Sequence, residues 1–228
     1  MDKQLLSILQ LCDSNFPTGA FSHSYGLETY IQENKVHDAD SFLEWLQIYL
    51  NEQLIHSDGL ACKLIYEALE MEQYTKVWKL DRMLMVQNLP RETREGSKRI
   101  GESMAKLIQS LYDFQVLNEY AKRIKSKQSF GHPAVVFSMI GHHLCITPDS
   151  TILYYLYSAV SGIVQNAVRA IPLGQTAGQK IIHSIQDSLV DAVTKIREME
   201  EEDFGIVSPG LELSQMLHER VNIRIFMS

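Results

Sequence analysis

The chain has 228 residues and a formal charge of −7, and this length suits one domain with a large core. Its acidic balance argues against a nucleic-acid-binding protein, because such proteins normally carry a basic surface. The three cysteines are odd in number and lie far apart, which argues against a disulfide framework and favours a reducing compartment.

The N-terminal residues lack the long apolar core and the cleavage site of a signal peptide. No apolar run approaches the roughly 20 residues that a membrane-spanning helix needs. We therefore expect a cytoplasmic protein that binds neither a membrane nor a nucleic acid. We interpret the one basic cluster, residues 122–127, as a helix C-terminus and the loop after it, where cations suit the helix dipole.

The first clear helical pattern follows a capping-box signature made by Ser41 and Glu44. After it, apolar residues recur at helical spacing as far as Leu54. The polar run Ser57-Asp58-Gly59 predicts an interruption, and a second apolar face begins after it.

Further helices follow along the chain. The predicted segments are Tyr74–Leu89, a helix with an apolar face from Ile100 to Leu111, Leu117–Lys125, Pro133–Cys145, Pro148–Ala170, Gln175–Met199 and a last helix beginning at Ser208-Pro209.

Thr147-Pro148 supplies an N-cap and a first-turn proline. The helix after it is apolar nearly all round, which predicts a central position. No alternating pattern flanks a hairpin turn, so we predict a single all-α domain over residues 1–228, a bundle of roughly eight to ten helices.

Two segments fit this scheme poorly. Asp13–Gly26 is crowded with serine, glycine, proline and aromatic residues where a first helix should continue. The C-terminal tail, Val221–Ser228, is apolar and favours extended structure, but no partner strand is predicted for it. Such a tail either packs into its own domain or docks on another chain.

The stretch Gln165–Lys180 contains a break at residues 171–174, because proline removes a donor and glycine permits unusual dihedrals. Its glycines do not make a phosphate-binding loop, since only three residues separate them and Ile181 occupies the hydroxyl position. We interpret Gly174, Ala177 and Gly178 as a site of close helix packing. Arg169, just before the break, is either a structural anchor or a charge that a partner recognises, and we favour the anchor.

The candidates for chemistry are few. On a helix, His142 and Cys145 would share one face, which is acceptable spacing for metal ligands. No second cluster accompanies them, so we favour a structural role over a nickel or zinc contact. Ser22-His23-Ser24 contains residue types used in nucleophilic catalysis, but neighbours in sequence rarely have the required geometry. We interpret Asp13 and Glu28 as a helix cap and a surface charge, and we predict no enzyme.

The polar stretch Arg91–Arg99 has two interpretations that the sequence leaves open. It is a solvated helix start with local ion pairs, or it is an arginine-bearing docking surface.

Three blocks together resemble the urease accessory protein UreF family. Leu11–Glu28 is similar to the family pattern D-S-x-F-P-x-G-x-[FY]-x-H-S-x-G-L-E, and Gln165–Gln179 is similar to R-x-x-P-L-G-Q-x-x-G-Q. His218–Arg220 and Arg224–Ser228 resemble the ending H-x-x-x-x-x-R-L-F-x-S, and Arg91–Gly101 resembles an R-E-x-R…G segment. The resemblance covers essentially the whole chain in order.

Two residues depart from the pattern of the tail. Ile225 stands where leucine is usual, and Met227 stands where arginine is frequent. The second change removes a charge, and with it any ion pair that the family makes at this position.

The resemblance implies an all-α, homodimeric, non-enzymatic chaperone for nickel insertion into urease. It implies binding to UreD (also called UreH), to the GTPase UreG and to apo-urease, and coupling of GTP hydrolysis to nickel delivery. Nickel would be handled by the complex, and this chain would hold no tight cofactor. Residues 220–228 would contact UreD, and the N-terminal and P-L-G-Q blocks would form a central surface near the dimer axis.

The partner-binding residues implied by the resemblance are Phe16, Pro17, His23, Tyr25, Glu28, Arg94, Arg169, Pro172, Leu173, Gly174, Gln175, Gly178, Arg220, Arg224, Phe226 and Ser228. Two alternatives remain open. One is a nickel carrier that uses His142, Cys145 or another histidine. The other is a GTPase-activating protein that donates an arginine finger from Arg94 or Arg169.

Overall fold

The computed structural model describes residues 2–205 and 208–228. Within these ranges the regular structure is helical and no strand forms, so the predicted all-α class is confirmed. Met1, Ile206 and Val207 of the predicted domain lie outside the described residues. The helices are α1 (Asp2–Cys12), α2 (Leu27–Gln32), α3 (Ala39–Ile48), α4 (Leu60–Glu70), α5 (Tyr74–Gln87), α6 (Arg91–Leu111), α7 (Gln115–Lys125), α8 (Pro133–His143), α9 (Pro148–Ala170), α10 (Gln175–Ser184), α11 (Gln186–Glu198) and α12 (Pro209–Leu217).

Two pairs of these helices are continuous. A π-helical segment, Tyr49–Gly59, joins α3 to α4, and only Ile185 separates α10 from α11. If each continuous pair is counted as one, the described residues form ten helices, within the predicted range. The single helix predicted over Gln175–Met199 is therefore two consecutive helices.

The start of α3 lies earlier than the sequence pattern indicated. Asp38 is the N-cap, and its carboxylate accepts from the Ser41 backbone N–H at 2.9 Å, while Ser41 Oγ completes the capping box. The predicted Ser41–Glu44 box is therefore wrong by one turn. Asp38 is the stronger acceptor, because its carboxylate carries a full negative charge at the positive end of the helix.

The predicted interruption at Ser57-Asp58-Gly59 is also wrong. Gly59 has a helical φ of −65°, and Ser57 Oγ satisfies the Gln53 carbonyl at 2.8 Å. A Cβ at Gly59 would lie 2.6 Å from Ile196 Cδ1, so this glycine allows α11 to pack closely and does not end the helix.

The core lies around α8 and α9. Every residue from Ala134 to Gly141 in α8 is buried, and α8 packs on α4, α6 and α9. The helix α9 contacts α1, α4, α8, α10 and α11, so its predicted central position is confirmed. Its N-terminus begins as predicted, with Thr147 accepting from the Ser150 N–H and proline at the first position. In the described part of the chain, no helix is long and apolar enough to span a bilayer.

Candidate functional site

The segment before α2 is a shaped loop, as its composition indicated. Tyr25 and Gly26 both have positive φ, at 53° and 91°. A Cβ on Gly26 would lie 2.3 Å from Ser214 Oγ, so both the dihedral and the available space require glycine there. This turn places α2 directly against α12 and the chain that follows it.

The C-terminal tail runs beside this loop. The Met227 N–H donates to the Ser22 carbonyl at 2.7 Å, and the Ser24 N–H donates to the Ser228 carbonyl at 2.5 Å. Phe226 and Ser228 are buried. Three other apolar tail residues remain exposed, with 83%, 58% and 54% of the residue surface accessible to solvent: Ile223, Ile225 and Met227. The tail therefore packs one face into its own domain and leaves an apolar face in solvent.

Glu28 holds the tail from inside the protein. Its carboxylate accepts from the backbone N–H groups of Ile225 and Phe226, at 2.5 and 3.1 Å. It also lies 2.8 Å from Nε2 of His218. Only 2% of Glu28 is exposed, so its interpretation as a surface charge is wrong. Because Glu28 comes just after the Gly26 turn, its carboxylate points into the protein.

His218 is fully buried between two carboxylates. Its Nδ1 lies 2.8 Å from Glu92 Oε2, and its Nε2 lies 2.8 Å from Glu28 Oε2. The ring therefore bridges the two glutamates, with one carboxyl group at each nitrogen. Arg224 completes the group by donating to Glu92 Oε1 at 2.7 Å. We call Glu28, Glu92, His218 and Arg224 the tail network.

The tail network sets two acidic side chains against two basic ones. Burial alone would raise the pKa of the Glu92 carboxyl. The hydrogen bonds from His218 and Arg224 outweigh that effect and hold this pKa below its ordinary value. An ion pair that is buried but fully hydrogen-bonded is costly to break, because the remaining charge has no partner. The network therefore fixes the position of the tail on α2 and α6.

His23 joins the loop to the end of the tail. Its Nδ1 lies 2.7 Å from Ser228 Oγ, and its carbonyl accepts from Asn166 Nδ2 at 2.7 Å. Burial, together with the charges of Arg99 and His218, lowers the pKa of the His23 imidazole to about 4. A Cβ on Gly96 would lie 2.6 Å from this ring. Glycine on α6 thus makes the space that a neutral imidazole fills.

Arg169 connects the end of α9 to both the loop and the tail. Its Nη2 donates to the Phe21 carbonyl and to Asn166 Oδ1. The guanidinium lies 5.1 Å from the Phe226 ring and 5.7 Å from the Phe21 ring, within cation–π range. These contacts are consistent with the anchor interpretation, although they reach the loop and the tail rather than the break and the residue as a whole remains exposed.

The predicted break after Arg169 is confirmed. Helix α9 ends at Ala170, and α10 begins at Gln175. Between them Pro172 and Gly174 are exposed and Leu173 is half-buried. Gln175, the first residue of α10, is exposed as well.

The predicted close packing applies to one of the two glycines of this stretch. A Cβ on Gly178 would lie 2.8 Å from Val168 Cγ2, so this residue lets α10 approach α9. The same prediction is wrong for Gly174, where a Cβ would meet no atom within 4 Å.

Other predicted residues lie around this centre. Arg94 donates to the carbonyls of Asn88 and Leu89, both at 3.1 Å, and so satisfies the end of α5. The stretch Arg91–Arg99 is the start of α6, but the ion pairs found there join it to the C-terminal segment and are not local. Phe16 is half-buried, Pro17 and Arg220 are exposed, and the Tyr25 ring packs 6.1 Å from the Tyr49 ring.

A cavity of about 150 Å³ lies under the loop. Its lining includes Phe16 and Phe21 from the loop and the polar residues Asp58, Thr93 and His132. The hydroxyl of Tyr155 donates to Asp58 at 2.5 Å, whereas the buried Thr93 Oγ1 has no partner in the structure. Buried water commonly satisfies such groups.

The predicted pairing of His142 with Cys145 is wrong in its geometry. Helix α8 ends at His143, and Cys145 lies beyond it with a φ of 53°, so the two residues share no helical face. The ring of His142 packs edge-on against Tyr66 at 5.3 Å. Among residues 2–205 and 208–228, no group of three or more histidine, cysteine or acidic side chains is arranged to hold a metal ion.

Comparisons with known proteins find similar chains. The UreF family model matches residues 36–186. Urease accessory protein UreF of Lachnoclostridium phytofermentans (strain ATCC 700394 / DSM 18823 / ISDg) is 52% identical over 228 residues, which is all of both chains. Urease accessory protein UreF of Bacillus sp. (strain TB-90) is 50% identical over 225 residues, or 99% of each chain. The family model covers more than half of the chain, and both relatives also cover the loop and the tail. The chain therefore belongs to the UreF family.

Proposed function

We propose that this chain is a urease accessory protein that assembles with UreD/UreH, the GTPase UreG and apo-urease during nickel insertion. It acts as a non-enzymatic, cytoplasmic homodimeric adaptor that couples GTP hydrolysis by UreG to nickel delivery. Identity of about half over the full length to proteins named urease accessory protein UreF supports this role.

The observation that carries the proposal is the exposed apolar face of the C-terminal tail. The tail network holds residues 224–226, and the N-terminal loop holds Met227 and Ser228. The outward side chains are therefore presented in a fixed position. Ile223 and Met227 are more than half exposed although both are apolar. A pre-ordered apolar segment loses less conformational entropy on binding than a free one. This arrangement suits docking on a partner protein, and UreD is the partner that the family resemblance implies.

Binding of UreD to variants of the tail tests this proposal. We expect Ile223→Asp/Met227→Asp to abolish capture of UreD while circular dichroism shows unchanged helix content, because both side chains point into solvent. Val86→Asp is the matched control, since Val86 is 63% exposed on α5, away from the tail. If the tail variant and the control retain UreD equally, the tail is not the UreD contact.

The two alternatives have less support from the contacts of their residues. Arg94 and Arg169, the candidates for an arginine finger, both donate to carbonyls of their own chain. His142 and Cys145, the candidates for carrying nickel, lie on different local structures. These contacts favour an adaptor over a GTPase-activating protein or a direct nickel carrier.

A further inference from the structure

A groove of about 590 Å³ lies between α6 and α7, away from the tail and the N-terminal loop. Lys98 and Lys106 reach it from α6, Lys125 ends α7, and Lys127 follows in the next turn. We call this the lysine groove. The sequence had suggested only a helix C-terminus for residues 122–127, but folding brings two of these lysines opposite two others from α6.

The lysines of the groove have no acidic partners within the described part of the chain. No carboxylate oxygen lies within 4.0 Å of any of their four ammonium groups. Elsewhere lysines do pair, as Lys35 does with Glu33 and Lys79 with Glu201. One acidic residue, Glu102, lines the groove beside the four lysines. Four lysines against one glutamate still leave an excess of positive charge, on a protein with 28 acidic and 21 basic residues other than histidine.

The lining of the groove between the lysines is partly apolar. Ala105, Ile124 and Phe130 belong to it. A ligand that matches this surface needs negative groups at its edges and apolar groups at its centre. The volume falls within the range of about 300–1,000 Å³ that is common for binding pockets.

The wall of the groove is held rigidly. The fully buried carboxylate of Asp81 accepts from the Phe130 N–H at 2.7 Å and from the Tyr120 hydroxyl at 2.7 Å. A Cβ on Gly101 would lie 1.8 Å from the Gly131 carbonyl oxygen, so α6 touches this wall backbone to backbone. The backbone of this wall therefore needs no ordering on binding, and only the lysine side chains have to be immobilised.

We propose that the lysine groove docks an acidic segment of a partner protein, one whose carboxylates flank apolar side chains. The lysines attract the carboxylates at the edges of the segment, and the apolar lining packs against the apolar side chains at its centre. A short segment interacts mainly with the charges of the groove, because salt screens charges beyond about 8 Å. A long nucleic acid would also meet the rest of a surface whose net charge is −7, and the apolar lining offers its phosphates no partner.

Fluorescence anisotropy tests this proposal with three labelled probes. The first is a short peptide of alternating glutamate and leucine, the second has glutamine in place of glutamate, and the third is an oligothymidine of the same charge as the first. The full chain is compared with Lys98→Glu/Lys125→Glu and with Lys3→Glu/Lys180→Glu. The second variant changes the net charge equally through exposed lysines outside the groove.

We expect the glutamate–leucine peptide to bind more tightly than both other probes, and added salt to weaken its binding. The groove variant should lose affinity by about tenfold or more, because like charges then face each other, while the control variant should change little. Tighter binding of the oligothymidine would overturn the proposal in favour of a nucleic acid. Equal losses in both variants, or no binding of the peptide, would also overturn it.

Discussion

At the scale of single residues, one buried histidine holds together segments that are distant in sequence. His218 lies 190 residues from Glu28 and 126 from Glu92, yet it contacts both carboxylates at 2.8 Å. Its ring separates the two acidic side chains and contacts each of them. We therefore expect the stability of the tail to depend on this single side chain.

Replacing His218 tests this dependence. His218→Ala leaves two carboxylates facing each other without their shared donor, and breaking a buried ion pair typically costs about 3–5 kcal/mol. We expect a loss of this size in the free energy of unfolding measured with urea. His183→Ala is the control, because His183 is exposed on α10. A loss below that of the control would show that the network contributes no net stability.

The buried His23 makes the stability of the fold depend on pH. Its pKa falls from an ordinary 6.5 to about 4 in the folded protein. Between these values the unfolded chain binds more protons than the folded one, so stability rises with pH. The stability that depends on a neutral His23 is fully present above pH 6.5 and is lost as the pH falls towards 4.

His23→Gln removes this titration and keeps a side chain that can contact Ser228 Oγ. We expect the free energy of unfolding to fall less steeply between pH 6.5 and 4 in the variant than in the original chain. Urea denaturation at a series of pH values measures both slopes. Identical slopes would contradict a buried neutral imidazole at this position.

At the scale of elements, two helical glycines have opposite roles. On α6, Gly96 faces the His23 ring, where a Cβ would lie only 2.6 Å away. On α9, a Cβ at Gly162 would meet no atom within 4 Å. Both glycines lie inside helices. Replacing each by alanine therefore changes helix propensity in the same way, and a difference between the two variants reports the effect on packing.

We predict that Gly96→Ala destabilises the protein, because the new methyl group displaces His23 and the end of the tail. Gly162→Ala should stabilise it by about 0.5–1 kcal/mol, the usual gain of alanine over glycine inside a helix. Thermal unfolding of the two variants measures both effects. A stabilising Gly96→Ala would show that the ring can move aside without cost.

The helices could largely be predicted from the sequence, because their signals are local. Pro90, Thr147-Pro148 and Ser208-Pro209 mark boundaries that the structure reproduces. The prediction of a helix boundary failed where contacts from distant residues outweighed a local polar run. Ser57-Asp58-Gly59 continues a helix, since packing of Gly59 against α11 and the hydrogen bonds of Ser57 and Asp58 satisfy its polar groups.

The tail network could not be predicted in the same way. Glu92 and His218 carry no periodic or spacing signal that links them, and only the fold brings them together. The resemblance to a family pointed to blocks that contain all four residues of the tail network, but not to the contacts between those blocks. Gly96 was likewise missed, because a helical glycine has no local signature for the side chain it accommodates.

At the scale of the whole molecule, the proposed adaptor role and the lysine groove use separate surfaces. The tail and the N-terminal loop form one region with α2, the start of α6 and the end of α9. The lysine groove lies further along α6, beside α7. Two separate docking surfaces on one small chain are what an assembly factor with several partners requires.

The proposed role in nickel insertion is tested by reconstituting urease from purified apo-urease, UreD, UreG, nickel and GTP. The nickel content of the urease is then measured. We predict that nickel enters urease only when this chain is present, and that Ile223→Asp/Met227→Asp fails where Val86→Asp succeeds. Equal nickel incorporation in the absence of the chain would contradict the account.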